Sequence, residues 1–150
     1  MIFLKLETIP RPGHVASDGT FVPLPVVLLG CWRDASPAAN SPALQNVENI
    51  LKQMYTEDAT IEFREKAVVK CFLTAKYMGR KIFAVQNGGK CFVEGPAVPG
   101  KWKGDYKAYG PSDQCKVDGK GGVLANYVYG WMKQSDEGWG RLFFNLIFRL

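Results

Sequence analysis

One stretch of the chain interleaves aromatic and basic residues in a pattern that suits carbohydrate binding. An aromatic ring can lie against the C–H surface of a sugar, and polar groups beside it can bond the hydroxyls. Lysines add attraction for anionic glycans such as sulfated polysaccharides. The candidate ligand-binding residues are Trp102, Tyr106, Tyr109, Lys101, Lys103 and Lys107. The alternative is that the rings cover a core beneath a long loop and the lysines are simply solvated.

The cysteines could bind a metal or form disulfides. Cys31, Cys71, Cys91 and Cys115 form no Cys-x-x-Cys pair, and the single histidine, His14, lies in a Pro/Gly-rich stretch. Zinc ligands usually come in close pairs, so no metal site is expected. An even number of widely spaced cysteines favours two disulfides and an oxidising compartment. Four separate buried thiols are the alternative, and three pairings are open.

The sequence carries no recognisable catalytic motif, so we predict a protein that is not an enzyme and needs no cofactor. No Gly-x-Ser-x-Gly, His-Glu-x-x-His or P-loop motif occurs. Cys–His catalysis would require His14 to reach one particular thiol. The acidic pairs Glu57-Asp58 and Asp136-Glu137 are predicted to lie in solvated turns.

Composition and charge are those of one ordinary globular domain. Of 150 residues, 47% are hydrophobic and 22% are charged. The net charge of +5 is spread along the chain and interrupted by acidic residues. Nucleic-acid surfaces cluster their lysines and arginines, so nucleic acid is an unexpected partner. No apolar run is long enough for a transmembrane helix, and charges near Met1 argue against a secretory signal.

Two helices and a buried strand are predicted before residue 80. The apolar, β-branched run 26–32 is typical of a buried strand. Residues 46–55 carry apolar side chains at helical spacing and predict a short helix. The main helix is predicted at about 61–78, ending before Gly79. Its expected buried face consists of Ala67, Val68, Cys71, Ala75 and Met78.

A β-hairpin is predicted directly after the main helix. Residues 81–86 and 90–93 flank Asn87-Gly88-Gly89, and Asn-Gly supplies the positive φ angles of a tight turn. If the helix packs on this sheet, Cys71 and Cys91 could reach the Cα separation of about 5–6 Å that a disulfide needs. Residues 126–129 alternate and predict a closing strand.

The segment 94–125 is predicted to be a long loop, with Cys115 as its staple. Within it, residues 118–122 (Asp-Gly-Lys-Gly-Gly) lack the oxygen spacing of a calcium loop. They predict a turn whose glycines allow backbone segments to approach closely. Asn126 is expected to bond loop backbone. Trp32 is expected in the core, and Arg33-Asp34 is expected to form a local salt bridge or a turn cap.

Three segments carry a combination of motifs. The first is Leu29-Gly30-Cys31-Trp32-Arg33-Asp34, and the second is residues 83–92, Phe-Ala-Val-Gln-Asn-Gly-Gly-Lys-Cys-Phe. The third joins residues 118–122 to Asn126-Tyr127-Val128-Tyr129. Together they resemble the WSC-like (PAN/apple-like) cysteine-rich extracellular domain. The similarity is to a reduced four-cysteine form found in proteins of cnidarians and other marine invertebrates, and it covers residues 28–129.

That resemblance implies an extracellular module for carbohydrate or cell-surface recognition. It also implies that the first cysteine pairs with the last and the helix cysteine with the sheet, giving Cys31–Cys115 and Cys71–Cys91. The chain departs from WSC modules in having fewer cysteines, and Lys90 stands where an aromatic residue is usual.

Taken together, the sequence predicts an α+β fold with a small antiparallel sheet, one main packed helix, long loops and two disulfides. The predicted organisation is an extended N-terminal arm (1–25), a WSC-like cysteine-stapled domain (26–129) and an apolar basic C-terminal tail (130–150).

The expected function is non-catalytic extracellular recognition, with glycans or a cell-surface protein as partner. The alternative is a secreted structural-matrix or defence protein with a membrane-active C-terminal segment. A cytosolic partner-binding domain would follow if the thiols were free.

Overall fold

A five-stranded antiparallel sheet with helices on one face organises the chain. The computed structural model describes residues 14–15, 21–22, 26–35, 40–58 and 64–131. The strands are β1 His14–Val15, β2 Phe21–Val22, β3 Val26–Arg33, β4 Gln45–Asn46, β5 Ile82–Gln86, β6 Lys90–Val93 and β7 Ala125–Trp131. The helices are α1 Glu48–Met54, a 3₁₀ helix Thr56–Asp58, and α2 Ala67–Tyr77. The predicted α+β class is therefore confirmed.

The strand order of the sheet is β3-β7-β5-β6-β4, and every neighbouring pair is antiparallel. The hairpin β5–β6 is the one predicted from Asn-Gly, with Asn87 at φ 49° and Gly88 at φ 87°. β7 returns from the far end of the long loop and inserts between β3 and β5. Separately, β1 and β2 pair with each other.

Alternate residues of the central strands face two different cores. On the helix side, Phe83 stacks on Tyr129, and Phe72 of α2 meets Trp131 edge to face at 5.6 Å between ring centroids. The predicted stripe of α2 is confirmed, because Ala67, Val68, Cys71 and Ala75 are fully buried and Met78 packs against them. On the opposite side of the sheet, Ala84, Phe92 and Val128 pack with Ala43 and Leu44 and form the second core.

Element boundaries differ from the prediction at two places. α2 begins at Ala67 rather than near residue 61, because Lys66 takes a left-handed conformation (φ 54°) that interrupts any helix before it. Residues 61–63 lie outside the described part. β7 extends past residue 129 to Trp131, which is 1% exposed, so the sheet continues two residues beyond the predicted domain end. Nearly all of the tail, from residue 132, lies outside the described residues.

Two disulfides connect the elements. Cys71–Cys91 joins α2 to β6 across 5.3 Å between Cα atoms, and both residues are fully buried. Cys31–Cys115 joins β3 to the long loop across 6.0 Å between Cα atoms. Both pairs are those implied by the family resemblance. No cysteine is free, so the alternatives of four buried thiols and of a cysteine-ligated zinc are wrong for this structure.

A buried ion network ties the helices to the hairpin. Arg64 donates two hydrogen bonds to the Glu48 carboxylate, both at 2.7 Å, and one to the carbonyl of Gly89 at 2.7 Å. Glu48 also accepts the backbone N–H of Cys91. The sequence prediction of a solvated Glu57-Asp58 turn is wrong for Asp58, which is buried and paired with Lys70 at 2.7 Å. Asp136-Glu137 lies outside the described residues.

We predict that Glu48→Gln lowers the free energy of unfolding by about 3 kcal/mol, because it leaves the buried Arg64 cation without its bidentate partner. Urea unfolding followed by circular dichroism measures the loss. The matched control is Glu65→Gln on the exposed turn before α2, which should change stability by less than about 0.5 kcal/mol. Equal stability of the two variants would contradict a structural role for this pair.

Candidate functional site

The segment between β6 and β7, residues 94–124 and here called the covering loop, lies over the sheet face opposite the helices. Its backbone is attached along its length rather than only at its ends. Gly104 N–H bonds Ala43 O at 2.9 Å, Arg33 N–H bonds Gly110 O at 2.8 Å, and Ser112 N–H bonds Cys31 O at 3.0 Å. Cys115 adds the covalent attachment. The loop is therefore a fixed surface layer of the fold.

Gly104 shows how closely this loop packs. Its φ is 77°, in the left-handed region, and a Cβ built on it would lie 2.5 Å from the carbonyl oxygen of Gly95. Glycine is thus required there for both conformation and space. The local consequence is that the beginning and the middle of the covering loop lie against each other beside the candidate binding residues.

Trp32, Tyr106 and Lys107 come together on this face, and we call them the aromatic site. The rings of Trp32 and Tyr106 meet edge to face at 5.4 Å between centroids. The Lys107 ammonium lies 5.8 Å from the Trp32 ring centroid and 5.5 Å from the Tyr106 centroid. Trp32 Nε1–H donates a hydrogen bond to Leu29 O at 3.0 Å. Both rings are partly buried against the second core, whereas Lys107 is exposed.

The other candidate residues have different positions. Tyr109 packs against the second core and donates its hydroxyl to Ser41 O. Trp102 closes a small turn with Val98, and its Nε1–H bonds Pro96 O at 3.0 Å. Lys101 and Lys103 are exposed in that turn and just after it. Tyr106 and Tyr109 do cover core, as the alternative to a binding role expects. A ligand role for all six stays a prediction.

Glu94 places a carboxylate beside the aromatic site. It accepts the backbone N–H of Tyr106 at 2.9 Å. Burial raises the pKa of Glu94 above its ordinary value, and the hydrogen bond from Tyr106 N–H lowers the pKa in part. Of the nearby charges, Asp105 raises the pKa of Glu94 and Lys107 lowers it. The Lys107 charge therefore faces both the aromatic rings and this acid.

A buried polar cluster lies under the covering loop, and no sequence pattern predicts it. Asp34 accepts the backbone N–H groups of Ala35 and Ala43, both at 2.8 Å, and the side-chain amides of Gln86 and Asn126 at 2.9 and 3.3 Å. Gln86 also donates to Asn126 at 2.9 Å. All three side chains are at least 94% buried. Four donors satisfy the Asp34 carboxylate without a cation.

This cluster corrects two predictions. Arg33 and Asp34 form no local salt bridge, because Asp34 points inward while Arg33 is exposed and bonds Pro111 O. The alternative role, a cap, fits the Asp34 bonds to the backbone N–H groups of Ala35 and Ala43. Asn126 bonds the side chains of Gln86 and Asp34 rather than loop backbone. Gln86 and Asn126 meet because the register of β5 and β7 places them opposite each other. A single sequence does not reveal that register. Trp32 does pack on a core, as expected, but is only partly buried.

The predicted glycine turn at 118–122 is confirmed. A Cβ on Gly121 would lie 2.3 Å from Val85 O, and one on Gly122 would lie 2.0 Å from Gln114 O. Beside this turn is a cleft of about 190 Å³, here called the glycine cleft. It is lined by Asn87, Gly88, Lys116, Asp118, Lys120, Gly121 and Gly122.

Comparison with models of known protein families, with curated proteins and with solved structures gives no match to this chain. Within the described residues, no group of three or more His, Cys, Asp or Glu side chains is placed to hold a metal ion. No helix in that same part of the chain is long and apolar enough to cross a membrane.

Glu94→Gln is predicted to raise stability slightly at neutral pH. Since the pKa of Glu94 is raised in the folded state, ionisation above that pKa disfavours folding, and the penalty vanishes below the ordinary value of 4.5. Glutamine keeps an acceptor for Tyr106 N–H without the charge. Melting temperatures between pH 4 and 8 should converge with the native protein in acid and separate as pH rises. A glutamine variant less stable than the native chain at pH 7 would contradict this sign.

Proposed function

We propose that the protein is a non-catalytic recognition module that binds anionic carbohydrate at the aromatic site. The observation that carries this proposal is the placement of the exposed Lys107 ammonium over both the Trp32 and the Tyr106 ring. Aromatic surface suits the C–H face of a sugar, and an adjacent cation suits a sulfate or carboxylate substituent. Both chemistries thus occur within one small patch.

The Lys107 ammonium gains more free energy from a hydrogen bond to an anionic ligand than from its contact with the two rings. A cation–π contact at an exposed site contributes about 0.5–1 kcal/mol. A hydrogen bond to a charged group contributes about 1.5–3 kcal/mol. An anionic substituent can therefore draw the ammonium away from, or across, the rings. The released ring surface becomes available to the sugar in the same step.

Preorganisation supports binding by this loop. Ordering a flexible loop on binding costs free energy that would otherwise appear as affinity. The covering loop is already attached by Cys31–Cys115 and by backbone hydrogen bonds to Ala43 and Arg33. Trp32 is itself oriented by its bond to Leu29 O. The site thus presents a prearranged surface.

An extracellular location belongs to the same proposal. Disulfides persist in oxidising compartments, and this small domain has two of them. The resemblance to WSC-like modules, which are associated with carbohydrate or cell-surface recognition, points to the same class of ligand. The alternative of a membrane-active C-terminal segment concerns residues outside the described part, so no observation here favours it.

We expect Lys107→Gln to weaken retention on heparin, a sulfated glycosaminoglycan, by about tenfold in affinity, the equivalent of one charge-assisted hydrogen bond. Salt elution and isothermal titration measure the change. The matched control is Lys76→Gln, which removes the same charge from an exposed lysine of α2, outside the candidate ligand-binding residues. Equal losses in both variants would indicate nonspecific attraction to the +5 chain and contradict the proposed site.

Indole N–H signals in ¹H–¹⁵N NMR spectra should identify the tryptophan that meets the sugar. Titration with a heparin-derived disaccharide should shift the Trp32 indole signal, because that ring forms the aromatic site. A shift confined to the Trp102 indole would instead place the ligand at the 98–102 turn. No shift of either signal at saturation would contradict carbohydrate binding on this face.

A further inference from the structure

The glycine cleft lies where the β5–β6 turn meets the end of the covering loop. Backbone bonds join the two segments: Asn87 N–H to Gly122 O at 3.2 Å and Gly88 N–H to Lys120 O at 3.3 Å. Lys116 N–H bonds Gly121 O at 2.9 Å, so a hydrogen bond also closes the turn that lines the cleft. None of these residues belongs to the aromatic site, so the chemistry of the cleft is independent of the proposed carbohydrate binding.

Backbone forms much of the cleft because side chains are excluded there. Gly121 and Gly122 are buried, and added Cβ atoms would overlap carbonyl oxygens of neighbouring segments. Asn87 holds a left-handed conformation that fixes its exposed position on the turn. The backbone therefore fixes the shape of the cleft, which is not a gap between mobile side chains.

Charge in the cleft is predominantly positive. Lys116 and Lys120 line it together with a single acid, Asp118, whose Oδ1 accepts the backbone N–H of Lys120 at 2.9 Å. The ion pairs of the described residues, which involve Arg64 and Lys70, include neither of these lysines. Within the described residues neither lysine forms an ion pair, and Asp118 offsets only one of the two positive charges in the lining.

Size limits what the cleft can accept. Pockets for drug-sized molecules enclose about 300–1,000 Å³, whereas this one encloses about 190 Å³. One small group fits better than a whole sugar ring. Two lysines supply up to six N–H donors, and the Asn87 carboxamide can add more, which suits a compact group with several acceptor oxygens.

From this combination we infer that the glycine cleft binds a tetrahedral oxyanion, a sulfate or phosphate group, between Lys116 and Lys120. The group can be a free ion or an ester on a larger molecule, because the lysines recognise the same oxygens in both. Binding requires both cations, and the hydrogen bond from Lys116 N–H to Gly121 O fixes the turn that carries them.

NMR titration of the full chain with sodium sulfate and sodium phosphate, at constant ionic strength made up with chloride, tests this inference. We expect saturable shifts of the Gly88 and Gly121 amides with either oxyanion and none with chloride. The double variant Lys116→Gln/Lys120→Gln should weaken binding by about tenfold or more. The control Lys52→Gln/Lys76→Gln removes equal charge from α1 and α2, outside the cleft and the aromatic site, and should bind as the native chain does.

A second titration compares galactose 6-sulfate with free sulfate and with galactose. Tighter binding of the ester supports an esterified ligand, tighter binding of free sulfate supports a free ion, and both agree with the inference. Absence of saturable shifts in the cleft, or equal weakening in the two double variants, would overturn it. Because these shifts are read at Gly88 and Gly121, the outcome is separate from the Lys107 experiments.

Discussion

The Cys31–Cys115 bond closes 84 residues of chain and attaches the middle of the covering loop to the first strand of the sheet. That loop has little regular structure to hold it, yet Tyr106 and Tyr109 on it pack against the second core. In the chain-entropy model a link of this span contributes about 4.5 kcal/mol. The aromatic site and the glycine cleft both depend on it, because Tyr106, Lys107, Lys116 and Lys120 all lie on the loop it attaches.

The two faces of the sheet are stabilised by different interactions. The helix face packs Phe72 against Phe83 and Trp131 in the core that holds the Cys71–Cys91 disulfide, and it also buries the Arg64–Glu48 ion pair. The loop face combines a smaller apolar core with the Asp34 cluster, whose hydrogen bonds join the end of β3 to Ala43, β5 and β7. Because two of its donors lie on β5 and β7, a shift in the register of these strands would leave that buried carboxylate partly unsatisfied, at a cost of several kcal/mol.

Local signals explain how much of the fold is predictable from the sequence. The α2 stripe, the Asn-Gly hairpin and the glycine turn at 118–122 depend on neighbouring residues, and the sequence predicts all three. The Asp34 cluster and the Arg64–Glu48 pair depend on residues 16 to 92 positions apart, so spacing does not reveal them. The predicted start of α2 is wrong because Lys66 adopts a left-handed conformation that no residue type there signals. Trp32 is absent from the candidate ligand residues because it lies far in sequence from Tyr106.

The covering loop is fixed covalently to β3, and this attachment holds the aromatic site as a rigid surface. Peptide mapping by mass spectrometry, on protein digested without reduction after blocking of free thiols, tests it most directly. We predict two linked peptide pairs, one joining Cys31 to Cys115 and one joining Cys71 to Cys91, with no blocked cysteine. Alkylated Cys31 and Cys115, or a link from either to Cys71 or Cys91, would contradict the account.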